Sequence, residues 1–184
     1  MSYIEETLAF NTLFSENEEY HSYITTKYPD KKMAVLSCMD TRLTELLPAA
    51  LNIKNGDVKI IKNAGAMVTH AFGSVMRSLL IAIYELDVEE IMVIGHHDCG
   101  MQHLNADTLL QKMIARGVTT DTLNTLKYSG IDTNHWLEGF DSAEASVIET
   151  VDAIRNHPLV PKDIIIQGFI IDPLTGKLDV LTDK

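Results

Sequence analysis

The sequence has little positive charge, few cysteines and no long apolar run. Fifteen lysines and arginines stand against twenty-six aspartates and glutamates in 184 residues, which gives a formal net charge of −11. Nucleic acids and anionic membrane surfaces are bound by positive patches, so we expect neither as a partner. No apolar run approaches the roughly 18 residues that a membrane-spanning helix needs. Two cysteines are too few for a disulfide framework of the kind that stabilises small secreted domains.

The N-terminal residues also lack the features of a secretory signal. Met-Ser-Tyr-Ile-Glu-Glu contains no basic residue and has acids where a signal peptide is apolar. We therefore expect a cytoplasmic protein whose two cysteines are reduced. Apolar residues make up 46% and charged residues 22% of the chain, which is the composition of an ordinary globular domain. This length is typical of one domain with one hydrophobic core.

The first 30 residues differ in composition from the rest of the chain. They hold six of the twelve aromatic residues, and the apolar spacing predicts a helix over the first 28 residues. Pro29-Asp30 then ends the segment. Two interpretations remain open: the helix packs on its own domain, or residues 1–30 form an arm that buries its aromatic rings on a partner subunit. In either case residues 31–184 are expected to form the main domain.

Residues 31–184 alternate short apolar runs with amphipathic stretches. Strands are predicted at Met33–Ser37, Val58–Ile61, Ile91–Ile94, Ile164–Ile171 and Leu178–Leu181. Helices are predicted at Leu43–Leu51, His70–Leu86, Asp107–Lys127 and Ala143–Asn156. Strands that alternate with helices indicate an α/β domain whose mainly parallel central sheet is flanked by helices. A turn at Asp172–Gly176 predicts one antiparallel edge strand, while residues 117–140 show no clear pattern.

Both cysteines follow predicted strands. Cys38 comes directly after the first strand, and Cys99 comes shortly after the third. The carboxyl ends of parallel strands meet at one edge of a sheet, so the two thiols are expected to lie close together. His96, three residues before Cys99, can reach the same ion across a turn, whereas His97 would point elsewhere. Two thiolates and an imidazole are a donor set for which zinc is the natural metal.

Asp40 and Arg42 accompany Cys38. Alternation along an extended segment would place all three side chains on one side. The guanidinium would keep the Asp40 carboxylate ionised and fix it by bidentate hydrogen bonds. Each feature alone has a structural interpretation, as a buried thiol or a simple ion pair. Together, after two buried strands, they favour a catalytic metal site with three protein ligands and an open fourth position.

Two motifs of the chain resemble the paired signature of the β-class carbonic anhydrases. They are Cys-x-Asp-x-Arg at residues 38–42 and His-x-x-Cys-Gly at residues 96–100. Ile61–Gly65 and Gly168–Lys177 are similar to further segments of that family. The resemblance runs roughly from Lys31 to Leu181, and the chain looks most like the compact, archaeal-type branch.

The resemblance implies an enzyme that interconverts carbon dioxide and bicarbonate with one zinc ion per chain. Carried over to this sequence, Cys38, His96 and Cys99 bind zinc, and water or hydroxide takes the fourth place. Asp40 orients that water, and Arg42 holds Asp40. Zinc-bound hydroxide attacks carbon dioxide, and bicarbonate and a proton leave. Members of the family also have a closed form, in which the residue equivalent to Asp40 ligates zinc itself. A homodimer or homotetramer built on the arm is expected.

Other functions remain open on the same scaffold. Relatives of this fold hydrolyse carbon disulfide or carbonyl sulfide, and the motifs at the metal do not separate the substrates. A non-catalytic zinc-binding regulatory protein is a further alternative, against which the presence of Arg42 argues. His97 is expected to shuttle protons or to hydrogen-bond the neighbouring loop. Four other histidines are interpreted as solvated or helix-capping residues: His70, His103, His135 and His157.

Overall fold

Five strands form a single sheet in the computed structural model, which describes residues 2–183. The strands are β1 (Met33–Cys38), β2 (Val58–Asn63), β3 (Glu90–His96), β4 (Ile165–Ile171) and β5 (Leu178–Val180). Their order across the sheet is β2-β1-β3-β4-β5. The pairs β1–β2, β1–β3 and β3–β4 are parallel, and β5 pairs antiparallel to β4. The predicted α/β domain with a mainly parallel sheet and an antiparallel edge is confirmed.

Helices connect the strands and precede the sheet. They are α1 (Tyr3–Glu16), α2 (Leu43–Ala50), α3 (Ser74–Leu86), α4 (Ala106–Ala115), α5 (Thr120–Tyr128), α6 (Thr133–Leu137) and α7 (Ala143–Arg155). Short 3-10 turns occur at Glu19–Tyr23 and Ala64–Ala66. Within residues 2–183, no helix combines the length and the apolar character that crossing a bilayer requires.

The sheet separates two hydrophobic cores. Successive residues of a strand point to opposite faces, and Leu36 packs into one core while Val35 packs into the other. The Leu36 core includes the buried faces of α3 and α7, and the Val35 core includes α2 and both cysteines. Helices therefore cover both faces, as a mainly parallel sheet requires.

Helix α7 lies against two glycines of the sheet. A Cβ atom on Gly95 would lie 2.6 Å from Val147 Cγ2, and one on Gly168 would lie 2.8 Å from Val147 Cγ1. Both distances are too short for any side chain, so glycine is what permits this close approach of helix and sheet. Gly95 directly precedes His96, and the contact therefore supports the end of β3.

The prediction of one helix over the first 28 residues is wrong beyond Glu16. Helix α1 ends there, and Glu18 has a left-handed backbone with a φ of 56°, which a continuous helix does not allow. The 3-10 turn follows. None of the α1 side chains is buried in the described chain.

The single helix predicted at Asp107–Lys127 is two helices. Helix α4 ends at Ala115, and Gly117 has a φ of 104°, a backbone conformation that breaks a right-handed helix. Thr119 then starts α5, because its side chain accepts a hydrogen bond from the backbone N–H of Thr122. Helix α6 lies in the stretch for which the sequence showed no pattern.

Helix α3 begins four residues later than predicted. Gly73 is extended and precedes the first helical residue, Ser74. Phe72, which falls within the predicted helix, therefore lies outside the observed one and is 80% exposed.

Candidate metal centre

Three predicted ligands meet at the carboxyl edge of the sheet. Cys38 is the last residue of β1, His96 is the last residue of β3, and Cys99 lies in the turn that follows. Because β1 and β3 are parallel neighbours in register, their ends lie side by side. The possible metal-donor atoms of Cys38, His96 and Cys99 all lie within 4.8 Å of one another, and these three residues are called the donor group below. All three side chains are buried.

The imidazole of His96 is oriented by the backbone. Its Nδ1 lies 2.9 Å from the carbonyl oxygen of His97, an arrangement in which Nδ1–H donates. Nε2 then carries a lone pair, and it is buried without a hydrogen-bond partner. A buried polar atom without a partner is costly, and metal-ligating histidines commonly donate their other ring nitrogen to a carbonyl. The orientation therefore fits a ligand to a metal.

The two thiols lie 3.9 Å apart, sulfur to sulfur. The hydrogen bond from Cys99 lowers the pKa of Cys38, and this effect exceeds the opposing effect of burial. The imidazole of His96 and the backbone N–H groups of Gly65 and Asp40 lower it further. The same contact with Cys38 raises the pKa of Cys99, so the first proton leaves Cys38. A thiolate supported by backbone N–H groups is a suitable metal ligand.

The carboxylate of Asp40 lies beside the three donors and is held by Arg42. Arg42 Nη2 lies 2.8 Å from Asp40 Oδ2, and Arg42 Nε lies 3.0 Å from Oδ1. The backbone N–H of Arg42 also donates to Oδ1, at 2.9 Å. The Arg42 side chain is the largest cause that lowers the pKa of Asp40 to about 2. Asp40 Oδ2 is 3.8 Å from His96 Nε2, which places an ionised carboxylate at the edge of the donor group.

The structural reason for this proximity differs from the predicted one. Strand β1 ends at Cys38, so strand alternation does not extend to Asp40 and Arg42. Arg42 has helical backbone angles, with φ −62° and ψ −25°, and immediately precedes α2. A turn from strand to helix, rather than an extended segment, brings Asp40 beside the metal-ligand candidates and Arg42 against Asp40.

Sequence reasoning missed one residue of this group. Asp98 lies between the two predicted ligands of the second motif, and its carboxylate Oδ2 accepts a hydrogen bond from Arg42 Nη1 at 2.8 Å. An acidic residue inside the His-x-x-Cys motif was the available signal. The hydrogen-bond partner of Asp98, Arg42, is however 56 residues away in the sequence, so spacing alone does not pair the two residues.

His97 points away from the three donors. Its Nδ1 lies 3.7 Å from Glu144 Oε1, and both side chains are about half exposed. Its backbone N–H donates to the carbonyl oxygen of Ile171. These contacts join the end of β3 to α7 and β4. The role of His97 as a proton shuttle stays a prediction.

His157 corrects the interpretation of the other histidines. It was expected to be solvated or capping, but only 4% of it is exposed. Its Nε2 donates to the carbonyl oxygen of Ala71 at 2.8 Å, and its Nδ1 accepts from the backbone N–H of Leu159 at 3.2 Å. Both ring nitrogens are used, so His157 is a structural residue. His70, His103 and His135 are exposed, as expected.

The sequence of this chain is similar to those of several known proteins. A family model described as carbonic anhydrase matches residues 33–178. The chain is 56% identical over 183 residues to the protein YtiB of Bacillus subtilis (strain 168), which covers 100% of this chain and 98% of YtiB. It is 30% identical over 159 residues to a carbon disulfide hydrolase of Acidithiobacillus thiooxidans, covering 81% and 76% of the two chains.

A solved structure shares the whole fold. The β-carbonic anhydrase isoform I of Trichomonas vaginalis is 33% identical and superposes with a TM-score of 0.89, covering 100% of this chain and 99% of that one.

Proposed function

Because the chain belongs to the β class of the carbonic anhydrase family, we propose that it catalyses the reversible hydration of carbon dioxide to bicarbonate and a proton, with zinc as its cofactor. One observation carries this proposal. An ionised carboxylate held by an arginine lies at the edge of a buried group of two thiols and one imidazole, 3.8 Å from the unpaired His96 Nε2.

The donor set fits one zinc ion per chain. Cys38, His96 and Cys99 offer two soft sulfur ligands and one borderline nitrogen, a combination that suits zinc. Three protein ligands are typical of catalytic zinc sites, which keep a fourth position for water or substrate. When bound, zinc supplies Lewis acidity, which lowers the pKa of a coordinated water.

Asp40 and Arg42 supply the orientation that the reaction needs. Asp40 is ionised, because its pKa lies at about 2, and it can therefore only accept a hydrogen bond. It accepts from the reacting water and directs the lone pair of that water toward the carbon of the substrate. Arg42 donates to both oxygens of Asp40 and so fixes the carboxylate plane. The intact Asp40–Arg42 pair favours the active arrangement over the closed form that the resemblance implies.

The proposal is tested by carbon dioxide hydration in stopped flow, between about pH 6.5 and 9, on protein of known zinc content. We expect activity that rises with pH, because the reacting water must lose a proton. Asp40 is ionised throughout that range and does not cause the rise. Asp40→Ala should lose at least about 100-fold in kcat, the usual contribution of a positioned proton acceptor.

The matched control is Asp141→Ala, an exposed carboxylate beside His103 that should leave the rate unchanged. Full zinc occupancy without activity at any pH would reject the proposed reaction.

Carbon disulfide hydrolysis is the second candidate, because a hydrolase of that substrate is among the relatives. The two substrates are linear and isoelectronic at carbon, and the same oriented water would attack either. Hydrogen sulfide release from carbon disulfide, measured beside carbon dioxide hydration on one preparation, separates them. We expect carbon dioxide to give the higher kcat/KM. A third candidate, a non-catalytic zinc-binding regulatory protein, would show zinc and neither activity.

We further propose that residues 1–30 form an arm on a partner subunit in a homodimer or homotetramer. The support is that α1 buries none of its side chains within the described chain. Large apolar side chains of the arm are exposed by more than half: Tyr3, Ile4, Leu8, Phe10 and Leu13. The remaining residues, 31–184, would form the zinc-binding catalytic domain. Two further assignments stay proposals: a cytoplasmic location, supported by two unpaired thiols, and the compact archaeal-type branch, supported by the short chain.

A further inference from the structure

The guanidinium of Arg42 binds two carboxylates, not one. Besides its two side-chain bonds to Asp40, it donates from Nη1 to Asp98 Oδ2 at 2.8 Å. It also donates from Nη2 to the backbone carbonyl oxygen of Asp98, again at 2.8 Å. Four of the five N–H bonds of the guanidinium are therefore directed, two to each aspartate.

The backbone of Asp98 has the conformation that this double contact needs. Its φ is 54°, in the left-handed region that aspartate and asparagine tolerate better than most residues. Asp98 lies in the turn between His96 and Cys99, and this conformation lets both its carbonyl oxygen and its carboxylate reach Arg42. The loop after β3 is thereby joined to the turn after β1.

Asp98 gives Arg42 a second anchor. Its side chain is 34% exposed and stands just before α2, and a long arginine side chain has several rotatable bonds. The hydrogen bonds between Asp40 and Arg42, including the one from the Arg42 backbone N–H, all lie within one turn and do not join that turn to the loop after β3. Asp98 ties the other end of the guanidinium to the segment that carries His96 and Cys99, so the pair is fixed relative to the donor group.

We propose that Asp98 is a positioning residue for the reaction: it fixes the guanidinium of Arg42, and through it the carboxylate of Asp40, in the orientation that directs the reacting water. This inference rests on the proposed function. Asp98 itself is 86% exposed and acts through Arg42, without contact with the reacting atoms.

Two substitutions separate the hydrogen bond from the backbone conformation. Asp98→Gly removes the side chain and keeps the left-handed backbone without strain, whereas Asp98→Asn keeps both that backbone and an oxygen acceptor. In zinc-loaded protein we expect Asp98→Gly to lower kcat about fivefold with KM within about twofold, as for an interaction that acts only in the transition state. Asp98→Asn should restore kcat to within about twofold of the unsubstituted protein.

Asp179→Gly is the matched control, because Asp179 is an exposed aspartate that pairs with one cation, Lys177, far from Arg42 in sequence. It should leave kcat unchanged. In an Arg42→Ala background, Asp98→Gly should cause no further loss, since a residue that acts through Arg42 cannot act without it. Additive losses would overturn the proposal, and so would an equal loss in the Gly and Asn variants.

A measurement that does not depend on activity follows the guanidinium directly. The Arg42 Nε–H resonance, assigned by its loss in Arg42→Lys, should exchange faster with water in Asp98→Gly than in the unsubstituted protein. The signals of the other three arginines should not change. An unchanged Arg42 signal would overturn the positioning role. Lack of carbon dioxide hydration by the unsubstituted protein would instead overturn the proposed function, and the NMR result would still decide whether Asp98 holds Arg42.

Discussion

At the scale of single residues, hydrogen bonding distinguishes two buried histidines that look alike in the sequence. His157 uses both ring nitrogens, one toward Ala71 and the other toward Leu159. His96 uses only Nδ1, and its Nε2 is left buried among the sulfur atoms. The difference is a backbone effect, because the carbonyl of the next residue, His97, selects the tautomer. Only His96 therefore has a lone pair to offer to a metal.

Replacement of the two histidines tests this distinction. His96→Asn should weaken zinc binding by more than about 100-fold, because a ligand itself is lost. Loss of a residue that only hydrogen-bonds a ligand typically costs about 10–100-fold. His157→Asn should retain one zinc per chain and lower only the thermal stability, since two hydrogen bonds of a buried group are disturbed. Zinc content after dialysis against a chelator, with circular dichroism as a folding check, measures both. Retention of zinc by His96→Asn would contradict the ligand assignment.

At the scale of elements, the site depends on how closely α7 approaches the sheet. Val147 touches the backbone at Gly95 and Gly168, and the segment after Gly95 carries His96 and Cys99. On the other face, α2 begins directly after Arg42 and contributes Leu43 and Leu47 to the core that contains both cysteines. The donor group thus lies between a glycine-lined helix contact and the start of a helix, and both elements restrict its movement.

Overpacking of the α7 contact should destabilise the protein. Gly95→Ala places a methyl group 2.6 Å from Val147 Cγ2, and overpacking of this kind typically costs about 1–3 kcal/mol of the free energy of unfolding. Val147→Ala removes the clashing methyl, so the double variant Gly95→Ala/Val147→Ala should be more stable than the sum of the two single losses predicts. Urea unfolding of the four proteins gives the coupling. Strict additivity would show that Gly95 is not required for the approach of α7.

At the scale of the whole molecule, α1 is a helix without a core of its own. Its capping box at Ser2 and Glu5 explains why the helix starts there, since both side chains satisfy backbone N–H groups. A helix of 14 residues with no buried side chain gains little stability from packing on the domain that follows it. Its exposed apolar residues can be buried only by a further surface, which is the physical basis of the proposed arm.

Removal of the arm should therefore lower the oligomeric state. Deletion of residues 1–28 is expected to convert the proposed dimer or tetramer to a smaller species, because burial of each large apolar side chain contributes about 1.5–3 kcal/mol. Light scattering coupled to size-exclusion chromatography measures the mass. The triple change Ile4→Ser, Leu8→Ser and Leu13→Ser should act in the same direction, whereas Glu6→Ala with Glu16→Ala, two exposed acids of α1 outside the capping box, should not. An unchanged mass after deletion would reject the arm.

Much of the fold and the donor group was predictable from the sequence. Apolar strands alternating with helices indicate a parallel sheet, and parallel strands end at one edge. The three proposed zinc ligands follow from that rule, because Cys38 and His96 are last residues of adjacent strands. Local backbone breaks were harder to predict. The left-handed backbone conformations at Glu18 and Gly117 depend on how local turns compete with continuation of the helix. Apolar spacing predicted continuous helices there, whereas α1 ends before Glu18 and Gly117 separates α4 from α5.

The tertiary structure alone decided which side chains hold the proposed catalytic pair in place. Sequence spacing places Asp40 and Arg42 near Cys38, and the prediction explained this by strand alternation. That reason was wrong, because β1 ends at Cys38 and a turn into α2 positions both residues. Asp98 meets Arg42 across 56 residues because two loops at neighbouring strand ends face each other. A motif records separations along the chain, whereas a hydrogen bond depends on the angles of each turn. The sequence by itself therefore determined the chemistry of the donor group, and only the packing of the loops determined its orientation.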